Sequence, residues 1–207
     1  MNTGKKESDW GEYYSVIKDR PARDTLVRAL SLFEKEQRKG SDLFAIDLGC
    51  GSGPDTAELL KNGFRVFASD KEPQAIEILK SKFSESILSG KLKVKAVSFE
   101  NILLPKSDFI NASYTLPFCK PEYFDKLWEK ITASLKLKGR FAGNFFGEKD
   151  SWADSRNMTF HTKQNVKSML KKFDTEFFEE NDEDGKTATG NDKHWHVFSV
   201  VAKKIKS

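Results

Sequence analysis

The sequence predicts an α/β fold, a doubly wound and mostly parallel sheet of seven strands ending in an antiparallel hairpin, and three observations carry that reading. Short apolar runs alternate with amphipathic helical stretches from residue 44 to residue 146. That pace is the pace of βαβ units, which implies parallel pairing and right-handed crossovers. Near the carboxyl end two strand-like runs follow one another with no helix between them, as in an antiparallel pair. The first apolar run, Phe44-Ala45-Ile46-Asp47-Leu48, breaks into glycines at 49, 51 and 53 before a helix begins. Such a loop at the carboxyl end of a strand is where ligands bind in open α/β sheets.

Taken in order, residues 1–8 are polar and are expected to be disordered. Trp10, Tyr13 and Tyr14 fall at i, i+3 and i+4, one face of a short helix. Two readings of that helix stand: it is docked on the body by its aromatics, or residues 9–40 form an N-terminal helical lid over a ligand. Arg20, Pro21 and Arg23 precede Leu26, Val27, Leu30 and Phe33, an amphipathic helix ended by Gly40 and Ser41. The first strand is nearly continuous in apolar character, which suits burial on both faces, and Asp47 within it is costly unless something pairs with it. Residues 55–61 continue as a helix closed by Asn62-Gly63. A second strand over 64–69 ends in Asp70, and Pro73 starts a helix carrying Ala75, Ile76, Ile78 and Leu79. Leu92, Val94, Ala96 and Phe99 read as the third strand, and residues 109–114 as the fourth, after a polar turn over 106–108.

The spacing of Phe124, Leu127, Trp128, Ile131 and Leu135 predicts a helix over 121–135, and Lys138-Gly139 leads into a fifth strand over 140–146. Residues 147–161, with Trp152 and His161, form a loop longer than usual, and long ordered loops are more often functional than accidental. Thr162 caps a helix through Val166, Met169 and Leu170. Residues 173–178 and 194–201 are the last two strands, and the acidic stretch between them reads as a solvated hairpin loop, with no metal site implied.

At 207 residues the chain fits a single domain over 1–207, long enough to cover a sheet on both faces. Its 17 Phe and 4 Trp supply bulky packing or pocket walls. The formal charge of +4 is a small excess, with lysines scattered rather than massed, so no nucleic-acid partner is indicated. Cys50 and Cys119 belong to no Cys-x-x-Cys pair, which favours a reduced, cytoplasmic protein without structural zinc. No stretch approaches the roughly 20 apolar residues that span a bilayer, so no membrane partner is expected, and the oligomeric state reads as monomer or homodimer.

The glycine spacing, Gly49-x-Gly51-x-Gly53-Pro54, puts proline where a dinucleotide fingerprint wants its third glycine. Asp70, 23 residues after Asp47, ends the neighbouring strand, where a carboxylate can accept from both hydroxyls of a ribose; its other reading is a solvated residue at a helix entry. With Ile46-Asp47-Leu48-Gly49-Cys50-Gly51-Ser52-Gly53, Asp70, and a strand plan ending in a hairpin, the sequence resembles the class I S-adenosylmethionine (SAM)-dependent methyltransferases, whose sheet is Rossmann-like. More narrowly it is similar to small bacterial members grouped with the tellurite-resistance methyltransferases. That likeness rests on the Trp10-Tyr13-Tyr14 start, on residues 111–119 and 141–147, and on His194-Trp195-His196-Val197-Phe198.

The resemblance implies SAM as cofactor. Asp47 and the backbone of Gly49, Cys50, Gly51 and Gly53 would hold the methionine portion, and Asp70, with Lys71 beside it, would take the ribose. Family members commonly carry an acid at the position of Ser98; here Ser98 or Glu100 would read the adenine, with Phe99 packed on the ring. Tyr14, Ser113 and Arg23 complete the expected cofactor contacts, Arg23 by pairing with the carboxylate of the cofactor. Methyl transfer is an in-line displacement that asks mostly for positioning. A soft nucleophile needs no base, while an alcohol or protonated amine does. Tyr114, His161 and His196 are the catalytic candidates, each histidine also readable as satisfied within the fold. The expected function is methyl transfer to a small molecule, a chalcogen oxyanion, thiol, amine or carboxylate. The alternatives are a SAM-binding module without catalysis and an NAD(P)-dependent oxidoreductase.

Overall fold

The computed structural model describes residues 10–17, 19–38 and 43–206. The expectations for residues 1–8 and for a helix end at Gly40 and Ser41 lie outside the described residues. The strands are β1 (Phe44–Leu48), β2 (Arg65–Asp70), β3 (Leu92–Ala96), β4 (Ser107–Ala112), β5 (Leu135–Gly147), β6 (Phe160–His161), β7 (Phe173–Lys186) and β8 (Asp192–Lys204). They form one sheet in the order β3-β2-β1-β4-β5-β8-β7, with the two-residue β6 paired to β5. Strands β1 to β5 run parallel, while β8 is antiparallel to both β5 and β7. The seven expected strands and the closing hairpin are thus present. The order reverses at β1 and β4, the switch point where a doubly wound sheet leaves a crevice.

Helices α2 (Asp24–Lys35), α3 (Pro54–Lys61), α4 (Pro73–Lys82) and the short α5 (Ser84–Leu88) cover one face. Their apolar stripes meet Ala45, Val66, Ala68, Phe109 and Val201 of the sheet. Helices α6 (Pro121–Ser134) and α7 (Lys163–Met169) cover the other, over Ile46, Ile110, Phe141, Phe145 and Phe198. Each fully buried Leu, Ile or Phe contributes about 1.5–3 kcal/mol relative to exposure. Thr162 caps α7 as its sequence position predicts, its hydroxyl accepting from Asn165 N at 3.0 Å. Helix α1 (Trp10–Ile17) forms a small cluster of its own, with Tyr14 and Ile17 packed on Ala75 of α4.

Several expectations need correcting. The polar pair Ser107-Asp108 opens β4 instead of forming a turn, because Asp108 is satisfied there. It accepts from Phe44 N at 3.0 Å and pairs with Arg38 at 3.2 Å and Lys136 at 2.9 Å. Strand β4 ends at Ala112, and Tyr114 follows in a turn with φ 54°. Strand β3 ends at Ala96, so Phe99 lies in the loop beyond it. The acidic stretch is not a loop: Glu179 to Asp184 belong to β7 and pair in register with β8. Charge alone suggested solvent, but basic partners reach the strand from α7, from the segment after β5 and, as histidines, from β8. Glu180 pairs with Lys163 and His196, and Asp182 with Lys149 and His194. Cross-strand opposite charges support a strand that propensity disfavours.

Candidate active site

The glycine loop joins β1 to α3 at the carboxyl edge of the sheet. Gly49 and Gly53 have φ of 66° and 85°, conformations that L side chains rarely adopt. At Gly49 the reason is also spatial, since a Cβ would stand 1.9 Å from Thr115 Oγ1 on the turn after β4. Pro54 takes the first helical position of α3, where a missing N–H costs nothing. The replacement that disfavours a dinucleotide thus serves as an ordinary helix start.

Asp70 reaches the loop from the end of β2. Its Oδ2 accepts from Gly51 N and its Oδ1 from Glu72 N, both at 3.0 Å, and Tyr14 Oη of α1 lies 3.4 Å from Oδ1. Burial holds the Asp70 carboxyl above its ordinary pKa. Burial, and then the Asp70 charge, raises the Tyr14 hydroxyl likewise. Helix α1 therefore sits directly on the loop: Tyr14 Cε1 is the atom nearest to where a Cβ on Gly51 would stand, at 3.4 Å. Cys50 is buried with its N–H donated to Ser69 O at 3.0 Å, and Lys71 leans on Glu72 at 3.6 Å.

Asp47 lies one layer below. It is buried, accepting from Thr56 Oγ1 at 2.6 Å and from Asn111 Nδ2 at 2.9 Å. The same Asn111 amide donates to Asp55 Oδ2 at 3.1 Å, and Asp55 Oδ1 accepts from Arg20 at 3.2 Å and from Arg23 N at 3.1 Å. Burial, followed by the neighbouring Asp55 charge, pushes the Asp47 pKa up to about 7. Sequence reasoning missed Thr56, Asn111 and Asp55. The available signal was Asn111 itself, a lone amide in the apolar run Phe109-Ile110-Asn111-Ala112. Ser113 donates to Asn111 Oδ1 at 2.9 Å.

The guanidinium of Arg23 lies 4.4 Å over the ring of Tyr114, and its Nε is buried with no hydrogen-bond partner. From Tyr114 a chain of rings leads round the cleft to α1. Tyr114 meets Trp195 at 6.3 Å, Trp195 meets Trp152 at 5.8 Å, Trp152 meets Phe118 at 6.4 Å, and Phe118 meets Trp10 at 5.2 Å. Lys193, paired with buried Asp150, fills the space between Trp152 and Trp195 at 3.9 and 4.4 Å from their centroids. On the far side of Asp70, Ser98 accepts from Asn101 at 3.2 Å and holds Glu100 below its usual carboxylate range. Phe99 is half-buried against the core beneath α6.

Two histidines are not brought to this cleft as free bases. His161 stacks between Phe124 and Phe145 at 4.5 and 5.7 Å, and burial lowers its pKa to about 4. His196 has both nitrogens engaged: Nδ1 accepts from Lys149 N and Nε2 meets Glu180 Oε1, each at 3.1 Å. Neither imidazole is among the rings that meet Tyr114. His194 lies between Asp182 and Asp184 on the hairpin. Of the three candidates, Tyr114 alone faces the aromatic walls.

Comparison with known proteins bears on this geometry. Residues 45–139, from β1 into β5, match the model of a family described as a methyltransferase domain. A curated relative, the probable cobalt-precorrin-6B C(15)-methyltransferase (decarboxylating) of Pyrobaculum aerophilum, is 32% identical over 93 residues, covering 42% of this chain. The match spans 46% of that relative, about half its length. Among solved structures, TehB from Haemophilus influenzae is similar with a TM-score of 0.74 and 17% identity, over 94% of this chain and 67% of that one. Magnesium protoporphyrin IX methyltransferase from Synechocystis PCC 6803, with bound S-adenosylhomocysteine (SAH), gives 0.69 and 13%, over 94% of each chain. The 1,6-didemethyltoxoflavin-N1-methyltransferase of Burkholderia thailandensis, also with SAH, gives 0.62 and 17%, over 98% of this chain and 93% of that one. At these identities the structural likeness establishes the fold. The domain match, over less than half of the chain, lies on the glycine loop and Asp70, so in this region the chain is similar to methyltransferases.

Proposed function

We propose that the protein transfers a methyl group from SAM to a small acceptor held against the aromatic walls of the cleft, within a single domain whose helices α1 and α2 act as a lid. The juxtaposition of the Gly49–Gly53 backbone with Asp70, bridged by the Gly51 N to Asp70 bond, carries this reading. The residues fit the cofactor. Glycines let a ligand approach the loop backbone, Asp70 offers two acceptor oxygens for a ribose, and the loop lies at the amino end of α3. Bound SAM supplies a methyl carbon on a positively charged sulfur.

Asp47, with the loop backbone, holds the methionine portion of the cofactor, and Thr56 and Asn111 fix its carboxylate beneath the loop. Arg23, with its Nε short of an acceptor, is the group for the cofactor carboxylate. Ser98 and Phe99, past β3, flank the adenine, with Glu100 held by Ser98. Tyr114 orients the acceptor. With His194 and His196 bonded to carboxylates, and His161 enclosed by Phe124 and Phe145 with its pKa lowered by burial, the site favours an acceptor nucleophilic without deprotonation: a thiolate, a chalcogen oxyanion or a carboxylate rather than a protonated amine. The varied substrates of the structural neighbours fit one cofactor edge serving many acceptors.

Calorimetry tests the cofactor half. SAH should bind and NAD should not, and Asp70→Ala should weaken SAH by about 100-fold through loss of charge-assisted hydrogen bonds. Wild-type protein indifferent to SAH would sink the reading. Turnover of labelled SAM against thiols, amines, carboxylates and chalcogen oxyanions tests the acceptor half. SAH binding without any turnover would leave the non-catalytic binding module.

A further inference from the structure

The parallel crossovers of this sheet differ in one place. Strands β1 and β2 are joined through α3, β2 and β3 through α4 and α5, and β4 and β5 through α6. The connection from β3 to β4, residues 97–106, contains no helix. The sheet face above β2 and β3 is therefore left to a loop, and a hollow opens there over Phe44 and Phe67, bounded by Leu103, Leu104 and Pro105.

Cations line this hollow. Lys93 stands beside Phe67 in the β2–β3 register, and Lys95 beside Ser69. Alternate residues of a strand share a face, so Lys91, Lys93 and Lys95 make a row at about 6.6 Å spacing. Arg65 of β2 lies next to them, and all four side chains are exposed. Among the described residues none of the four forms an ion pair with a carboxylate. Lysines scattered in the sequence are thus gathered by the pleat into one strip.

Lysine on an edge strand also guards against pairing with another sheet. That role leaves the neighbouring leucines unexplained. Leu103 is 79% exposed and Leu88, at the end of α5, is 87% exposed, the two highest values among the large apolar side chains. Leu88 borders a second hollow on the other side of β3, and the two hollows share Gly90 and Lys93. One sheet edge therefore presents a row of cations, without ion pairs among the described residues, flanked on each side by a bare leucine. A phosphate backbone would engage the cations alone. A bilayer with anionic headgroups engages both, phosphates taking the lysines while the leucines enter the acyl boundary.

We propose that the β3 edge is a docking surface for an anionic lipid bilayer, a peripheral attachment that needs no spanning segment and is independent of the acceptor. Co-sedimentation of the full chain with phosphatidylcholine vesicles, with and without phosphatidylglycerol, tests it. The expected result is binding only where phosphatidylglycerol is present, released by salt. The triple substitution Lys91→Glu, Lys93→Glu, Lys95→Glu should lower vesicle affinity by at least about tenfold, and Leu88→Ser with Leu103→Ser by a smaller factor. Unchanged thermal midpoint and SAH binding would establish that both variants are folded. Absence of wild-type binding at low salt, or binding untouched by the lysine reversals, would overturn the proposal. So would a single-stranded oligonucleotide that displaces the vesicles and binds equally well to the leucine variant, which would assign the strip to nucleic acid.

Discussion

Two buried charge networks sit at opposite ends of the sheet and are finished differently. Toward the amino ends of the parallel strands, Arg140 is fully buried and its guanidinium donates four hydrogen bonds to carboxylates. It donates to Glu36 at 2.9 and 2.6 Å and to Glu176 at 2.7 and 2.8 Å, with the ring of Phe33 4.8 Å away. At the carboxyl ends, Asp47 and Asp55 share a single Asn111 amide. Nearby, Arg20 Nε, Arg23 Nε, Thr25 Oγ1 and Ser52 Oγ are buried without partners. Closed networks serve stability, and the cluster of buried groups left short of partners is where a ligand would complete the count, apart from the isolated Thr132 Oγ1 and His161 Nε2. The same fold thus separates the two tasks by about the length of a strand.

The sharpest way to break the comparison is at Arg140. Arg140→Met leaves Glu176 without its cation and Glu36 with Lys203 alone, and should cost about 3–5 kcal/mol in denaturant unfolding, while SAH affinity of the folded protein stays unchanged. A parallel loss of affinity would show that the two ends are not separable. Next comes Gly49→Ala, which combines an unfavourable φ with a collision against Thr115. It should cost about 1–3 kcal/mol and also weaken SAH. Thr115→Ala in the same chain should recover only part of the loss, since the φ penalty remains.

The pH dependence of stability sharpens the contrast, because the two networks push in opposite directions. Glu36 is held down to about 2 by its hydrogen bonds to Arg140, and burial works against this. A depressed carboxylate contributes stability that is present above about 4.5 and is lost as pH falls toward 2. Asp47, raised to about 7, contributes stability fully present below about 3.8 and lost as pH rises through 7. Asp47→Asn should therefore remove a downward slope of at most about 1.4 kcal/mol per pH unit between those values, read from thermal midpoints across pH. The smallest effect belongs to His161→Phe. The native imidazole resists protonation down to about 4, so stability falls as pH drops from 6.5 toward that value. The variant should flatten that limb and keep its methyl-transfer activity and SAH affinity within about twofold, a change near 0.4 kcal/mol.

Much of the ligand end was legible in the sequence because glycine and aspartate have few other reasons to stand there. Glycines at every second position after an apolar run require positive φ or close approach, and Asp70 at the next strand end falls on the same edge. The alternation of apolar runs likewise places β1, β2 and β4 to within a residue or two. What the sequence hid was pairing. Asp108 looked like a turn residue until Arg38 and Lys136 arrived from elsewhere in the chain, and Glu179 to Asp184 looked like a loop until β8 paired with them and Lys149 and Lys163 met their carboxylates. His196 illustrates the converse: an imidazole near a candidate site carries no label for what its nitrogens already hold.

The ring chain around the cleft has an optical consequence. Trp10, Trp152 and Trp195 are all half-buried along that wall, whereas Trp128, at 9% exposure, is packed against Phe141 in the core. Three of the four indoles therefore emit from the place where a ligand would arrive, and the fourth serves as an internal reference. The unlabelled protein carries its own reporter. Intrinsic fluorescence can follow filling of the cleft in real time, and replacing each indole by phenylalanine in turn would show which part of the wall a ligand touches first.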